Sequence, residues 1–362
     1  MAVAQRTGVL LAPFLAALAV GAVVLLLTGR SPIETYGLLL QQAFGSSAAI
    51  ANTLTQATPV LLTGLATAFA FRAGVFTIGV EGSLYVGAFA AAWAGFTLTG
   101  LPGMALIGLA AALAAAAGGA WGWLPGMLRA RWRVDEVVTT LMLNFVAIGL
   151  TSYLVNGPFL AVGTANSMSP PVAPGARLGS LVPPSQLSAG FILAVLLAGA
   201  FWFVFRRTTL GYRLDLVGTS PRFAAASGID LRRTIVLAMV VAGVVGGLAG
   251  AVQVLGVNGR FIDRFSPGFG FTGIAVALLG RNTALGCLLA ALFFGALNNG
   301  AAMMQLFSDI PLDLVNVLSG TVMIFAVLNV SGLRLRRASA APPASPAEAT
   351  VEARPATSES GT

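Results

Sequence analysis

The chain alternates long apolar runs with short polar connections, and the length of those runs sets the first reading. About 20 apolar residues in a helix cross the hydrocarbon layer of a bilayer. Runs of that order, almost free of charge, cover 9–28, 50–71, 82–99, 104–127, 136–155, 189–205, 234–257, 284–304 and 313–330, with a shorter one at 272–280. The pattern predicts an all-α polytopic membrane protein of about ten transmembrane helices, some of them short or broken. The first run is longer than the apolar core of a secretory signal, and no clear small-residue cleavage site precedes Arg30, so it reads as a retained anchor. Residues 338–362 are mostly Ala, Pro, Ser, Thr and Glu without apolar periodicity, which predicts a disordered tail behind a membrane domain of 1–337.

Charge placement orients these spans. Six arginines between Arg206 and Arg233 sit in a polar hairpin between two runs, and arginine beside a span marks the cytosolic side. With a cytosolic N-terminus, Arg6, Arg72, Arg129, Arg131, Arg133, the whole hairpin, Arg281, Arg334, Arg336 and Arg337 fall inside. Only Arg30, Arg177, Arg260 and Arg264 fall outside. Both termini are then cytosolic. A composition of 57% hydrophobic and 9% charged residues, with a mean hydropathy of +0.89, agrees with the membrane class. The net charge of +8 is carried by arginines at span ends, where it serves orientation and not nucleic-acid binding. The chain has no lysine, so a Walker A phosphate loop is excluded and ATP is not hydrolysed here by that route. With no histidine and one cysteine, Cys287 in an apolar run, zinc sites, Cys-His nucleophiles and intrachain disulfides are excluded. Cys287 reads as packing.

Uncharged polar residues at membrane depth are the candidate chemistry, because such groups are costly in lipid and face a bundle interior or a cavity. Asn52, Thr55 and Gln56 share one helix face ahead of Pro59, which removes a backbone bond and can kink the span. Thr140 and Asn144 lie one turn apart, and Asn298 and Asn299 sit deep in the ninth span. Gly243/Gly247 and Gly246/Gly250 repeat the small-xxx-small spacing that lets helices approach closely, with Gln253 on the second of these rows. Each polar side chain either bonds a neighbouring helix or lines a solute path. The spans hold essentially no carboxylate, Glu81 and Asp313 standing at span ends, which argues against an ion-coupled carrier. They hold no nucleophile–base pair for a membrane enzyme either. Glycine-interrupted segments at 71–82 and 268–281 point to broken helices near a transport route, and Arg72 and Glu81 are expected to pair at the cytosolic end. The outside loop 156–188 carries Pro158, Pro170, Pro171, Pro174, Pro183 and Pro184. It is either a docking surface for an extracytoplasmic partner or a connector.

Several ordered blocks resemble a known family. Arg72-Ala-Gly-Val-Phe-Thr-Ile-Gly-Val-Glu-Gly82 is similar to the R-A-G-x-x-N-I-G-x-E-G signature of permeases of ABC importers for nucleosides, simple sugars and branched-chain amino acids. Its signature positions here are Arg72, Gly74, Gly79, Glu81 and Gly82. Thr77 stands where that family usually has asparagine, and Ser83 where glutamine is common. Asp135-Glu-Val-Val-Thr-Thr-Leu-Met-Leu-Asn144 resembles a block of the nucleoside-type members, and the likeness continues through 209–213, 217–229 and 277–280.

The resemblance implies a transport subunit of the bacterial cytoplasmic membrane with no cofactor of its own. It implies pairing with a second permease, identical or homologous, with a cytosolic ABC ATPase that uses the ATP, and with an extracytoplasmic solute-binding lipoprotein. It also implies a cytosolic coupling helix within 210–229, with Leu210, Gly211, Arg213, Asp215, Gly218, Arg222, Ala225 and Gly228 as coupling positions; Arg213 and Asp215 would offer charge to the ATPase, and Gly218 and Gly228 would let the chain turn. Nucleosides lead as solute, with amides and hydroxyls of Asn52, Thr55, Gln56, Asn144, Gln253, Asn298 and Asn299 as the expected pathway. Simple sugars or branched-chain amino acids are the alternatives.

Overall fold

A computed structural model describes residues 31–308 except 164, 165 and 184, together with positions 19, 22, 23 and 26, and gives the backbone alone at 301 and 303–308. The expected last span, the expected first span apart from those four positions, Arg6, Arg30, Asp313, Arg334, Arg336, Arg337, Pro184 and the tail lie outside the described residues.

Eleven α-helices are present among the described residues, with no strand beyond two isolated bridges. They are α1 (Pro32–Phe44), α2 (Ser47–Arg72), α3 (Val80–Thr97), α4 (Gly103–Trp132), α5 (Glu136–Asn156), α6 (Gly190–Arg207), α7 (Thr209–Thr219), α8 (Pro221–Ala226), α9 (Leu231–Gln253), α10 (Phe269–Leu279) and α11 (Ala284–Ser308). Helix α9 runs on as a π turn, Val254–Asn258. Five of these, α2, α4, α5, α6 and α9 with its π turn, are long and apolar enough to cross a membrane. The chain is a multi-pass membrane protein. Each predicted span within the described residues has its helix, and α2 continues through Pro59 without a break. Helix α1 was not foreseen: at 13 residues it is too short to span and carries Glu34 in its first turn.

Local sequence accounts for where helices begin. Ser46, Asp135, Thr208 and Asp230 each accept a backbone N–H of the first turn of α2, α5, α7 and α9 respectively, satisfying donors that the helix leaves open. Burial then sorts the helices into layers. The spanning window of α2 is 78% buried, whereas those of α5 and α6 are 22% buried and turn most of their surface outward. Helix α3, with buried Glu81, Ser83 and Tyr85, is sheathed by α4, α5 and α9 and so tolerates polar residues that a lipid-facing span would not.

Close packing of α9 uses both glycine rows, and Gly247 meets α3 at Gly87 as well as α4 at Gly118. Gly243 and Gly247 face α4, where a Cβ added to Gly118 would lie 2.8 Å from Gly247 Cα. Gly246 and Gly250 face α3, where a Cβ on Gly250 would lie 2.7 Å from Ala88 N. Because lipid supplies no hydrophobic drive between helices, this backbone approach supplies dispersion contacts in its place.

The two ends of the bundle differ. One end gathers Arg72, Arg129, Asp215 and Glu136, with Arg72 paired to Asp215 and Arg129 to Glu136. At the other end the proline-rich loop is pinned to the segment after α9: Val172 N donates to Gly259 O at 3.0 Å, Ser169 N to Phe261 O at 2.9 Å, and Leu178 N to Leu255 O at 2.9 Å. Tyr85, Phe89 and Phe96 of α3 pack edge-on or tilted against Phe159, Phe261 and Phe265 beneath it.

Candidate functional site

The segment after α2 leaves the helix at Gly74, whose φ of 75° suits glycine, and re-enters at Val80. Helix α5 holds this break. Asn144, buried, donates from Nδ2 to Ile78 O at 2.9 Å and accepts at Oδ1 from Gly82 N at 2.8 Å. Thr140 Oγ1 accepts from Ile78 N at 3.2 Å. Both amide groups of Asn144 are therefore committed to backbone, which explains why Thr140 and Asn144 sit one turn apart.

The two glycine-interrupted segments meet. The buried Glu81 side chain accepts from Gly270 N in the first turn of α10, satisfying a donor that the helix leaves open. Thr63 Oγ1 of α2 donates to Phe269 O at 2.8 Å. A Cβ on Gly270 would lie 2.8 Å from Glu81 Cα, so glycine is required for the crossing. The expected Arg72–Glu81 pair does not form, because Glu81 points into the bundle toward α10 while Arg72 turns outward to α7.

Thr77 and Ser83 line a cavity of about 10 Å³ with Thr140 and Trp121, and the Trp121 indole Nε1 has no hydrogen-bond partner among the described residues. The space is about one water in size, consistent with side chains here smaller than asparagine and glutamine.

The second element is the joint between α2 and α7. Arg72 forms a two-pronged bond to Asp215, with Nε donating to Oδ1 at 2.7 Å and a second, shorter contact between the other guanidinium nitrogen and Oδ2. The Phe205 ring lies against the same guanidinium at 3.9 Å. Gly218 lies so close to α2 that a Cβ would overlap Arg72 O and sit 2.8 Å from Gly74 N. Gly218 is thus a contact glycine inside a helix and not a turn. Gly228, with φ of 79°, does end α8 in a left-handed turn, its N–H bonded to Ala225 O. Gly211, Leu214 and Val217 are buried and seat α7, while Tyr212, Arg213, Arg222, Phe223 and Ala225 project outward; Leu210 is half-buried. Asp215 is engaged within the chain, so the outward charge of α7 is Arg213. Sequence reasoning missed Tyr212 and Phe223, exposed at 63% and 57%. The i, i+3, i+6 burial period of Gly211, Leu214 and Val217 was the available signal for the opposite face.

The remaining polar candidates divide by partner. Asn299 Nδ2 donates to Ala49 O at 3.1 Å and Thr53 Oγ1 at 3.0 Å, tying α11 to the start of α2. Thr55 Oγ1 donates to Ala51 O within its own helix. Asn52, Gln56, Gln253 and Asn298 are half-buried, and no hydrogen bond joins their side chains to the described residues. Three of these share a flank. Thr53 meets Asn299 and Ala57 meets Gly295, so α2 and α11 run antiparallel. Residues just before the contact positions in antiparallel right-handed helices turn to the same side, which puts Asn52, Gln56 and Asn298 on one edge of the pair. Gln253 stands where α9 passes into its π turn, an irregularity frequent at functional positions.

The model of the branched-chain amino acid transport system permease component family matches residues 49–327. Among curated proteins the chain is 38% identical to the guanosine ABC transporter permease protein NupP of Bacillus subtilis, over 89% of this chain and 94% of that protein. It is 35% identical to the glucose ABC transporter permease protein TsgB13 of Haloferax volcanii, over 86% of this chain and 85% of that one. It is 33% identical to the nucleoside ABC transporter permease protein NupB of Lactococcus lactis, over 84% and 86%. No solved structure shows significant similarity.

Proposed function

The chain belongs to the family of branched-chain amino acid transport system permease components, and from that membership we propose that it forms half of the passage of an ATP-driven importer for nucleosides. A separate cytosolic ATPase, a second permease and an extracytoplasmic binding lipoprotein complete the machine. The chain itself binds no ATP and needs no cofactor. The Arg-rich end faces the cytosol of a prokaryotic cell, as arginine bias favours.

The observation that carries the mechanical part is the Arg72–Asp215 and Gly74–Gly218 joint. Movement of α7 by the ATPase is passed at this joint to the end of α2, and Glu81–Gly270 passes it on to α10. Tyr212, Arg213, Arg222 and Phe223 form the surface that meets the ATPase. Rocking of packed helices about a central route then alternates access. With its carboxylate committed to α10, Glu81 is not free to bind a coupling ion, which disfavours a secondary carrier.

Asn52, Gln56, Asn298 and Gln253 line the route, their neutral donors and acceptors matched to a neutral solute rich in hydrogen-bonding groups. Asn144, Thr55 and Asn299 act behind them as braces. Relatives named for guanosine and for nucleosides favour nucleosides; the one named for glucose favours a sugar as the second reading. Reconstitution of the four-part complex in vesicles, with labelled guanosine, ribose, glucose and leucine, separates them. ATP-dependent accumulation of guanosine is expected. Accumulation of glucose with no nucleoside taken up would overturn the first reading in favour of the second.

A further inference from the structure

At the Arg-rich end, a groove of about 670 Å³ opens between the end of α4 and the α8–α9 connection. It is lined by Arg129, Arg133 and Arg232, with Asp230, Ile229 and Ile235 among its other walls. Its one lining carboxylate, Asp230, pairs with Arg233 at 3.2 Å, and its Arg129 pairs with Glu136 at 3.0 Å. No carboxylate of the described residues pairs with Arg133 or Arg232, both exposed. The groove therefore keeps two uncompensated guanidinium groups at the level where spans α4 and α9 end.

Arg133 occupies the residue after α4 in a left-handed conformation, φ 53°. Glycine is the residue usually found there. Beside it, Trp132 and Val134 are 59% and 40% exposed, and Arg131 lies over the Trp132 ring at 5.6 Å. An exposed indole next to cations at a span end is the composition of a membrane headgroup layer. A cationic groove whose Arg133 is flanked in sequence by an exposed aromatic and an exposed apolar residue matches a ligand that is anionic at one end and apolar at the other.

We propose that this groove binds the phosphate headgroup of an anionic phospholipid. Arg133 and Arg232 grip the phosphate as paired donors, and the acyl chains run down past Trp132 and Val134. Basic pockets between span ends hold such headgroups elsewhere by the same physics. The proposal does not depend on which solute the chain carries.

The test uses the purified full complex in nanodiscs that mix phosphatidylglycerol with phosphatidylcholine. Lipid retained after extraction is counted by native mass spectrometry, for the unaltered chain, Arg133→Gln, Arg232→Gln, the double variant, and Arg207→Gln as an arginine outside the groove. The unaltered chain is expected to retain phosphatidylglycerol preferentially. Each groove substitution should lower that preference about fivefold and the pair about 30-fold, the loss expected for one and two cations near a membrane surface. Arg207→Gln should leave it unchanged, and inorganic phosphate should not displace the lipid. Equal preference in the double variant would overturn the proposal. So would displacement by inorganic phosphate, which would mark a free-anion site, or loss of the ATPase from the double variant with lipid retention intact, which would mark a protein contact.

Discussion

The smallest perturbation that probes the coupling joint is Gly218→Ala. The added methyl would overlap Arg72 O and lie 3.0 Å from Arg72 C and 2.8 Å from Gly74 N, all backbone atoms. Nonbonded carbons settle near 3.5–4.0 Å, so α7 has to retreat by roughly 1 Å. Forcing one extra methyl group into a packed contact costs about 1–3 kcal/mol. The same retreat stretches the Arg72 Nε to Asp215 Oδ1 bond from 2.7 Å out of hydrogen-bonding range. With side chains 25% and 35% exposed, solvent screening limits that pair to about 1 kcal/mol. The packing term therefore dominates, and a shift of 1–3 kcal/mol corresponds to a change of about 5–150-fold in the docking equilibrium of α7. In reconstituted vesicles the variant complex should continue to hydrolyse ATP, while solute imported per ATP falls at least about fivefold. A folded Gly218→Ala complex with unchanged uptake per ATP would refute the coupling role of this contact.

Other positions give separate outcomes. Asn144→Leu leaves Gly82 N and Ile78 O without partners, at about 1–3 kcal/mol for each buried group, and should lower the unfolding temperature of the detergent-solubilised chain. Glu81→Gln keeps an acceptor for Gly270 N. It should give a smaller thermal shift than Asn144→Leu, which leaves two backbone groups without partners; a larger one would contradict the contact. Gln56→Leu removes no hydrogen bond to the described residues, so stability should hold while uptake at limiting nucleoside drops about 2–12-fold, the value of one neutral hydrogen bond. Loss of stability without loss of uptake would remove Gln56 from the route.

Much of the membrane architecture was legible because apolar length is a local property. The spans at 50–71, 136–155 and 234–257 correspond closely to α2, α5 and α9 with its π turn. The glycine rows of α9 were legible too, though not that Gly243 serves α4, Gly246 and Gly250 serve α3, and Gly247 meets both. What sequence hid was pairing across the chain. Arg72 and Asp215 are 143 residues apart, and Glu81 and Gly270 are 189 apart; a nearby charge made Arg72–Glu81 look natural. Asn144 could be recognised as a buried amide, but its partners are backbone atoms 62 and 66 residues away, which no side-chain pattern reveals. Gly218 resembled a turn residue because a glycine needed for close approach and one needed for a positive φ are the same letter. Helix α1 escaped because apolar length finds spans and not short helices lying beside them.

The central claim is that a separate ATPase moves this chain through α7 from the cytosol. Tyr212 is 63% exposed on α7 and the chain's one cysteine, Cys287, is fully buried, so Tyr212→Cys supplies a single reactive thiol on that helix. In cells co-expressing the partner subunits, a thiol-to-amine crosslinker should join this position to the ATPase in a yield that changes with bound nucleotide, and an impermeant thiol reagent added outside should not label it. Labelling from outside, with no adduct to the ATPase in any nucleotide state, would contradict the claim.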